Sequence, residues 1–570
     1  MSLPLILAVE DEPDVRRELE RDLAKRYGAD YDVRASGSPE DGLAVLTAAQ
    51  EAGTDVALVV ASQRMPGMTG IDLLIRANDL HPAARRALLI RVADTDSFEA
   101  IEQAFTLNRL DSYFTKPWQP AEEWLYPVIG DQLKEWVRSC ASGPPTAVIR
   151  LVGDPWEPRC FRLRDLLDRN GLPYAFYPTD SREGRATLAE VDKDLSRLPV
   201  LVLDDGRRTT CLVDPDPEEV ATTLGADIRP PLLQYDVAIA GAGPAGLAAA
   251  VYAASEGLST TVIEAEAVGG QAGTSAQIRN YLGFPRGVTG RELAMRASEQ
   301  ARLFGVHVVY LQRAAALRPG QDGFVLRLFD GSELSARLVI IATGVTYRRL
   351  TGPGIERLTG AGIFYGSVPS AAQTMRGLPV FIAGGGNSAG QAAVHLARYA
   401  ASVTIVAPDR SLRDHMSDYL VKQVEATPRI AVRLRTEVIE AVGERRLESL
   451  ILRHVDTGTT EQADAAALFV MIGAVPSTDW LPAELRRDQA GYVLTGQDLL
   501  QDGQLPGEWP LRRAPFPRET SVPGVFAVGD VRHDATRRVA SAVGDGAIAI
   551  QMAHEYLKER SSAPAQPVSR

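Results

Sequence analysis

Two glycine-rich turns carry the residue types and spacings in this chain best suited to chemistry. A strand-like DVAIA runs directly into GAGPAGLAAAVYAASEG and then into a second strand, TTVIEA. In this GxGxxG setting Gly241 makes the tight turn, Gly243 lets the backbone approach a pyrophosphate, and Gly246 lets helix and strand pack closely. Pro244 and Ala245 open a helix whose N-terminal N–H groups face the phosphates. Glu264 ends the next strand and is placed to accept hydrogen bonds from a ribose. One such turn is weak support, but a second, GGGNSAGQAAVHLARYA, follows the strand Val380 to Ala383 and precedes another strand, VTIV. There Gly384, Gly386 and Ala389 take the three small-residue positions, with Asn387 and Ser388 between them. Two units imply two dinucleotides, or one domain duplicated for two ligands.

Thiol chemistry is poorly supplied. The chain has three cysteines, Cys140, Cys160 and Cys211, and no two stand in CxxC spacing. They provide neither a disulfide framework nor a dithiol pair. His395, His415 and His533 read as surface or packing residues. No metal-ligand cluster stands out, and no acid–base catalyst can be named.

Positioning two such turns takes a long chain. At 570 residues, about four domains are expected. Apolar residues make up 45% and charged residues 24%, ordinary proportions that exclude wholesale disorder. The net charge of −12 offers no long-range attraction to nucleic acid or anionic lipid. No apolar stretch reaches the roughly 20 residues of a membrane span, and Leu3 to Val9 is too short for a signal peptide. A cytoplasmic protein is expected. The elements read as α/β. In residues 1–138 apolar strand-like runs (Leu5 to Val9, Val56 to Ala61, Leu88 to Val92, Tyr113 to Phe114) alternate with helical ones such as Val15 to Tyr27, a doubly wound pattern. A Gly-Pro-Pro break at Gly143 to Pro145 opens a second unit, residues 146–228. It reads strand Val148 to Val152, helix Arg162 to Asn170, strand Tyr174 to Tyr177, helix Thr187 to Leu195, then strands Val200 to Leu203 and Thr209 to Val213.

Glu10 and Asp11 end the first strand and Lys116-Pro117 ends the last, where open α/β sheets place ligand sites. This segment resembles a response-regulator receiver domain. In that family the acidic pair holds Mg²⁺, an Asp three residues before Met-Pro accepts a phosphoryl group, and a Thr/Ser and the Lys stabilise the product. Here VVASQRMPGMTG puts Ser62 at the acceptor position, and Ile90 falls at the Thr position. A hydroxyl without an activating base is a poor acceptor, and Ile90 cannot hydrogen-bond a phosphoryl oxygen. The resemblance implies a pseudo-receiver used for packing or partner contacts, its acids being solvated strand-end residues. Residues 146–228 resemble a thioredoxin or glutaredoxin fold on two features, Leu198-Pro199 at the family's cis-proline position and a helix entered from WEPRC. Glu157 occupies the attacking cysteine's position and Cys160 the resolving one, so dithiol exchange is not available. Cys160 otherwise reads as a small buried residue.

Further motifs join the two turns. Ala342-Thr343-Gly344 ends a strand, VFAVGD (Val525 to Asp530) ends another before a helix, and Gly270, Gln271 and Asn280 precede both. Together they make residues 232–560 resemble a thioredoxin reductase. That resemblance implies an FAD domain at 232–350 and 476–560, an NAD(P) domain at 351–475, and a flexible tail at 561–570. It implies that Gly529 and Asp530 bind the ribityl and phosphate region of FAD and that Arg538, Val539 and Ala540 border the flavin ring. The family clamps the 2′-phosphate of NADPH with a His-Arg-Arg cluster; here the run is APDR, leaving Arg410, helped by Arg413. Asp409 would repel a phosphate but could hold a ribose hydroxyl, so NADH and NADPH both stay open. The family's Tyr-Cys-x-x-Cys-Asp is replaced within GIFYGSVPSAAQ by Gly366, Pro369 and Ser370. Its disulfide mechanism is excluded, because exchange needs an attacking thiolate.

The three-part order resembles a bacterial family labelled fused response regulator/thioredoxin-disulfide reductase. The expected function is an FAD oxidoreductase that passes electrons between NAD(P)H, or a small organic substrate, and a non-disulfide acceptor, a small molecule or a protein. Two alternatives stay open: a redox- or nucleotide-sensing flavoprotein with partner-docking front domains, and a small-metabolite flavin oxidase with an idle nicotinamide domain. A homodimer without nucleic acid or membrane partners is expected.

Overall fold

A computed structural model describes residues 3–91, 100–101, 103–104, 109–139, 148–191, 198–204, 208–275, 277–284, 287–366, 371–500, 502–504 and 507–562. The chain divides into two compact units. One comprises residues 1–147, 372–381 and 385–436, the other residues 148–371, 382–384 and 437–570.

The first unit contains a parallel sheet in the order Asp32–Ser36, Leu5–Val9, Val56–Ser62, Arg85–Arg91, Ser112–Lys116. Both faces are buried, as the unbroken apolar strands require. Leu5, Leu7 and Val9 face a layer holding Leu46, Leu73 and Leu74, while Ile6 and Ala8 face Leu19, Leu23, Ile129 and Leu133. This is the doubly wound 2-1-3-4-5 order. The fourth strand begins three residues earlier than expected because its two leading arginines are neutralised. Asp111 accepts from the Arg86 N–H and Nε at 2.9 Å each and lies 3.4 Å from Arg85; the expected Val92 end lies outside the described residues. The same unit carries the helix Asn387–Leu396, followed by parallel strands Ser402–Ala407 and Ile430–Leu434.

In the second unit a four-stranded sheet has the order Ala175–Pro178, Ile149–Gly153, Val200–Asp204, Thr209–Val213, with only the first pair parallel. The Leu198–Pro199 peptide is cis. The helix expected from Arg162 spans Pro158–Arg169, because Glu157 caps it by accepting the Cys160 N–H at 2.8 Å and proline fills the first position. The helix expected over Thr187 to Leu195 starts earlier, as Arg182–Val191, and residues 192–197 lie outside the described ones. A helix not anticipated, Pro217–Thr223, is capped by Asp216. This sheet packs on the rest of its unit: the Phe161 and Phe364 ring centroids lie 4.6 Å apart, and Arg169 pairs with Glu266 at 2.7 Å.

The larger sheet runs His307–Tyr310, Thr260–Glu264, Gln234–Ala240, Glu333–Ile341, Phe324–Leu328, Ala314–Pro319, and Val525–Ala527 adds parallel to Glu333–Ile341. Helices Pro244–Ser255 and Val539–Ser562 press together through small residues, Ala249 and Ala253 against Ala549 and Ala553. A Cβ on Gly546 would lie 2.4 Å from the Ala245 carbonyl oxygen. That last helix runs through 561 and 562, the expected start of the tail, and residues 563–570 lie outside the described ones.

Burial alone would raise the Asp111 pKa, but the charges of Arg85, Arg86 and Arg398 and the Arg86 hydrogen bond hold it below the usual carboxylate range. Its contribution is therefore present above the unfolded carboxylate pKa and is lost as pH falls. Asp111→Asn should destabilise the first unit by about 3 kcal/mol at neutral pH. Urea melts of the two proteins should converge as pH is lowered below about 4.

Candidate functional site

The first glycine turn is closed on one side and open on the other. Gly241 has φ +107°, and a Cβ there would lie 2.4 Å from the Ala342 carbonyl oxygen; at Gly246 it would lie 1.9 Å from the Gly241 oxygen. Only glycine permits these approaches. At Gly243 and Gly344 an added Cβ meets nothing within 4 Å, so a ligand can lie against the backbone there. The helix Pro244–Ser255, with Ala245 in its first turn, starts at Gly243 without a side-chain cap. Its first N–H groups are left for an anion. The Glu264 carboxylate accepts from the N–H groups of Ala242 (2.7 Å), Glu266 (2.9 Å) and Ala267 (3.1 Å). A carboxylate has about four lone-pair sites, so one direction stays available to a ribose hydroxyl. Burial raises the Glu264 pKa, against the pull of the backbone bonds.

Around this turn, Gly270 backs Gly243, Gln271 donates to the Val345 carbonyl, and Thr343 donates to the Ser477 carbonyl at 2.9 Å. Asn280 is exposed. Val525–Ala527 brings Gly529 (φ +73°) and half-buried Asp530 to the same sheet edge, and a Cβ on Gly529 would lie 3.0 Å from Ala245 Cβ. Burial raises the Asp530 pKa; Arg537 opposes this and Asp545 adds to it. Arg538 and Ala540 are exposed and Val539 is half-buried at the start of the last helix. One residue escaped the sequence reading. Asp545, buried in that helix, accepts from the Gly529 N–H (3.0 Å), Arg532 (3.0 Å) and Arg518 (2.8 Å) and so fixes the Gly529-Asp530 turn. An acid in the apolar run SAVGDGAIAI was the available signal.

The second turn repeats the design. Gly384 (φ +132°) would bring a Cβ within 2.3 Å of the Met471 carbonyl oxygen, whereas at Gly386 the nearest atom is 3.8 Å away. Helix Asn387–Leu396 also lacks a side-chain cap. Asn387 accepts from the Ser417 N–H at 2.7 Å, Ser388 is exposed and Ala389 is buried. Arg410 is exposed, while Arg413, expected to help it, is paired with Asp418 and Glu425.

Elsewhere the expected motifs have become packing. Cys160 is fully buried, and burial pushes its thiol up to about 12. Gly366 has φ +69°, and a Cβ there would lie 2.7 Å from the Tyr347 ring; Pro369 and Ser370 lie outside the described residues, as does Cys140. The acids at the first strand end are not all solvated. Glu10 is fully buried because Lys116 joins it (2.8 Å), Glu12 (2.9 Å) and Ser62 Oγ (3.2 Å). Hydrogen bonds from Arg91 and Lys116 lower Glu12 to about 2. Ile90 is buried in the core. His395 packs against Tyr399 with ring centroids 5.6 Å apart; burial and Arg398 lower its pKa to about 3. His533 is held by Asp488 at 2.7 Å, and His415 is exposed.

Residues 235–546 match the family described as Pyridine nucleotide-disulphide oxidoreductase. A thioredoxin reductase of Peptoclostridium acidaminophilum is 33% identical over 332 residues, 57% of this chain and 97% of the relative. One chain of the alkyl hydroperoxide reductase of Pseudomonas putida is 34% identical over 336 residues, 58% of this chain and 59% of its own. Two solved thioredoxin reductases share the fold. That of T. acidophilum has a TM-score of 0.51 at 28% identity, covering 58% of this chain and 100% of its own; that of Lactococcus lactis has 0.51 at 30%, covering 57% and 99%.

Two outcomes follow from these contacts. Asp545→Ala frees the Gly529 N–H and should weaken FAD binding by on the order of tenfold, read by flavin fluorescence during titration of the apoprotein. With its pKa near 12, Cys160 holds about one thiolate in ten thousand at pH 8, so it should resist iodoacetamide until the protein is unfolded. Peptide mapping after labelling checks this.

Proposed function

The chain belongs to the pyridine nucleotide-disulphide oxidoreductase family, FAD-dependent enzymes that use NAD(P)H, and from that membership we propose an oxidoreductase whose acceptor is not a disulfide. Bound FAD supplies the redox step, receiving electrons from NAD(P)H or a small organic substrate. The protein's part is to hold it: the uncapped helix at Gly243 takes the pyrophosphate, Glu264 the ribose, and the Gly529-Asp530 turn, braced by Asp545, the ribityl end.

The observation that carries the acceptor reading is Gly366. Relatives of thioredoxin reductase type would place their first redox cysteine there, yet the position is left-handed and a Cβ would collide with the Tyr347 ring. Cys160 gives no substitute, being buried, protonated and without a CxxC partner. We read residues 1–138 as a pseudo-receiver and 146–228 as a degenerate thioredoxin-like segment. In both, the residues at the motif positions are engaged within the fold: Lys116 ties Glu10 to Ser62, and Cys160 and the cis-proline Pro199 both border Gly153. That loss of chemistry also supports the sensor reading, with flavin redox state as the signal. No described helix is long and apolar enough to cross a membrane. We expect a cytoplasmic homodimer.

Anaerobic titration with NADH and NADPH, followed by an acceptor screen, tests the proposal. Rapid turnover with quinones, dyes or oxygen and none with thioredoxin or aromatic disulfides is expected. Slow turnover with partner binding that follows flavin state would favour the sensor. Gly366→Cys/Pro369→Cys should not create disulfide reductase activity, because Tyr347 occupies the space of the first side chain. Thioredoxin-linked turnover by the wild type, abolished in a Cys140→Ser/Cys160→Ser/Cys211→Ser variant, would sink the proposal.

A further inference from the structure

The two glycine turns each have an acid folded over their middle residue. In the first, Glu264 accepts the N–H of Ala242, between Gly241 and Gly243, at 2.7 Å. In the second, the middle residue is Gly385, and a Cβ built on it would stand 2.7 Å from Asp409 Oδ2 and 3.3 Å from Ala407 Cβ. Asp409 lies just beyond the end of Ser402–Ala407, as Glu264 lies at the end of Thr260–Glu264. A side chain at 385 would have to displace the Asp409 carboxylate, which fills that space. A carboxylate at this place in a dinucleotide-binding unit accepts the hydroxyls of an adenosine ribose, and a 2′-phosphate would be pressed against it.

Two of the surrounding cations have other partners, and a third is a histidine. Arg413 is paired with Asp418 and Glu425, Arg435 donates to the Pro408 carbonyl at 3.3 Å, and His415 Nε2 stands 3.5 Å from Asp409 Oδ1. Arg410 is exposed and lacks the paired arginines that grip a phosphate in two-point fashion.

We propose that Asp409 is a specificity-determining residue that makes this chain select NADH over NADPH. The inference rests on the reading that the second turn binds a nicotinamide dinucleotide. The test uses the full-length, FAD-loaded protein. Calorimetric binding of NAD⁺, NADP⁺ and ADP-ribose is measured beside anaerobic flavin reduction by NADH and NADPH. NAD⁺ should bind at least about tenfold more tightly than NADP⁺, and ADP-ribose should compete with NAD⁺. Asp409→Asn should lower NAD⁺ affinity and narrow the gap, and Asp409→Arg should reverse the preference, each with an unchanged flavin spectrum and melting temperature. Equal or tighter binding of NADP⁺ by the wild type, or an unaltered ratio in both variants, overturns the proposal and leaves the nicotinamide reading intact. Absence of binding by both dinucleotides removes that reading and the proposal with it.

Discussion

A helix that begins without a side-chain cap leaves backbone N–H groups unsatisfied, and this chain does so at both places where glycines hold the turn open, as it also does at Pro13 and Asp418. Helices beginning at Pro39, Gly70, Pro217 and Gly290 are closed by Ser38, Thr69, Asp216 and Thr289. Those beginning at Pro244 and Asn387 are not. Unpaired donors at a helix start need an anion or water. The rest of the larger sheet serves the first of these starts: parallel neighbours Thr260–Glu264 and Glu333–Ile341 set its depth, and Val525–Ala527 delivers Gly529 and Asp530 to the same edge.

Acidic side chains do the local positioning, and each is held by many donors. Glu264 takes three backbone N–H groups and Asp545 one N–H with two arginines. Buried carboxylates are tolerable only under such satisfaction. The same rule explains Glu10, which lies fully inside the N-terminal sheet because Lys116 accompanies it. There Lys116 joins Glu10, Glu12 and the Ser62 hydroxyl, whereas the two glycine turns stay open.

Much of this was legible in the residues. Local sequence specifies strand–turn–helix geometry, so both turns, Glu264, and the sheet-edge motifs at Ala342 and Gly529 could be read directly. What required coordinates was long-range partnership. Asp545 approaches Gly529 across a turn of the last helix, Glu12 rather than Asp11 shares Lys116, and Asp111 draws Arg85 and Arg86 into a strand expected to start at Leu88. The helix start at Pro158 differs from expectation for a local reason: Glu157, considered only as a replaced cysteine, is a good cap. The closure of Gly366 by Tyr347 likewise depends on a contact between residues separated in sequence.

The tight meeting of Pro244–Ser255 with Val539–Ser562 has a consequence for biosynthesis. Gly546 and the alanines of the late helix are what cover the early one, and they emerge from the ribosome roughly 300 residues after it, some tens of seconds later at bacterial or slower rates. Throughout that interval the apolar flank of the first helix has no partner of its own. The cradle can therefore be completed only after residue 545 and its neighbours have been made. Flavin loading that uses the complete cradle must follow synthesis of this late helix, and a nascent chain stalled before this point would present an uncovered alanine-rich surface.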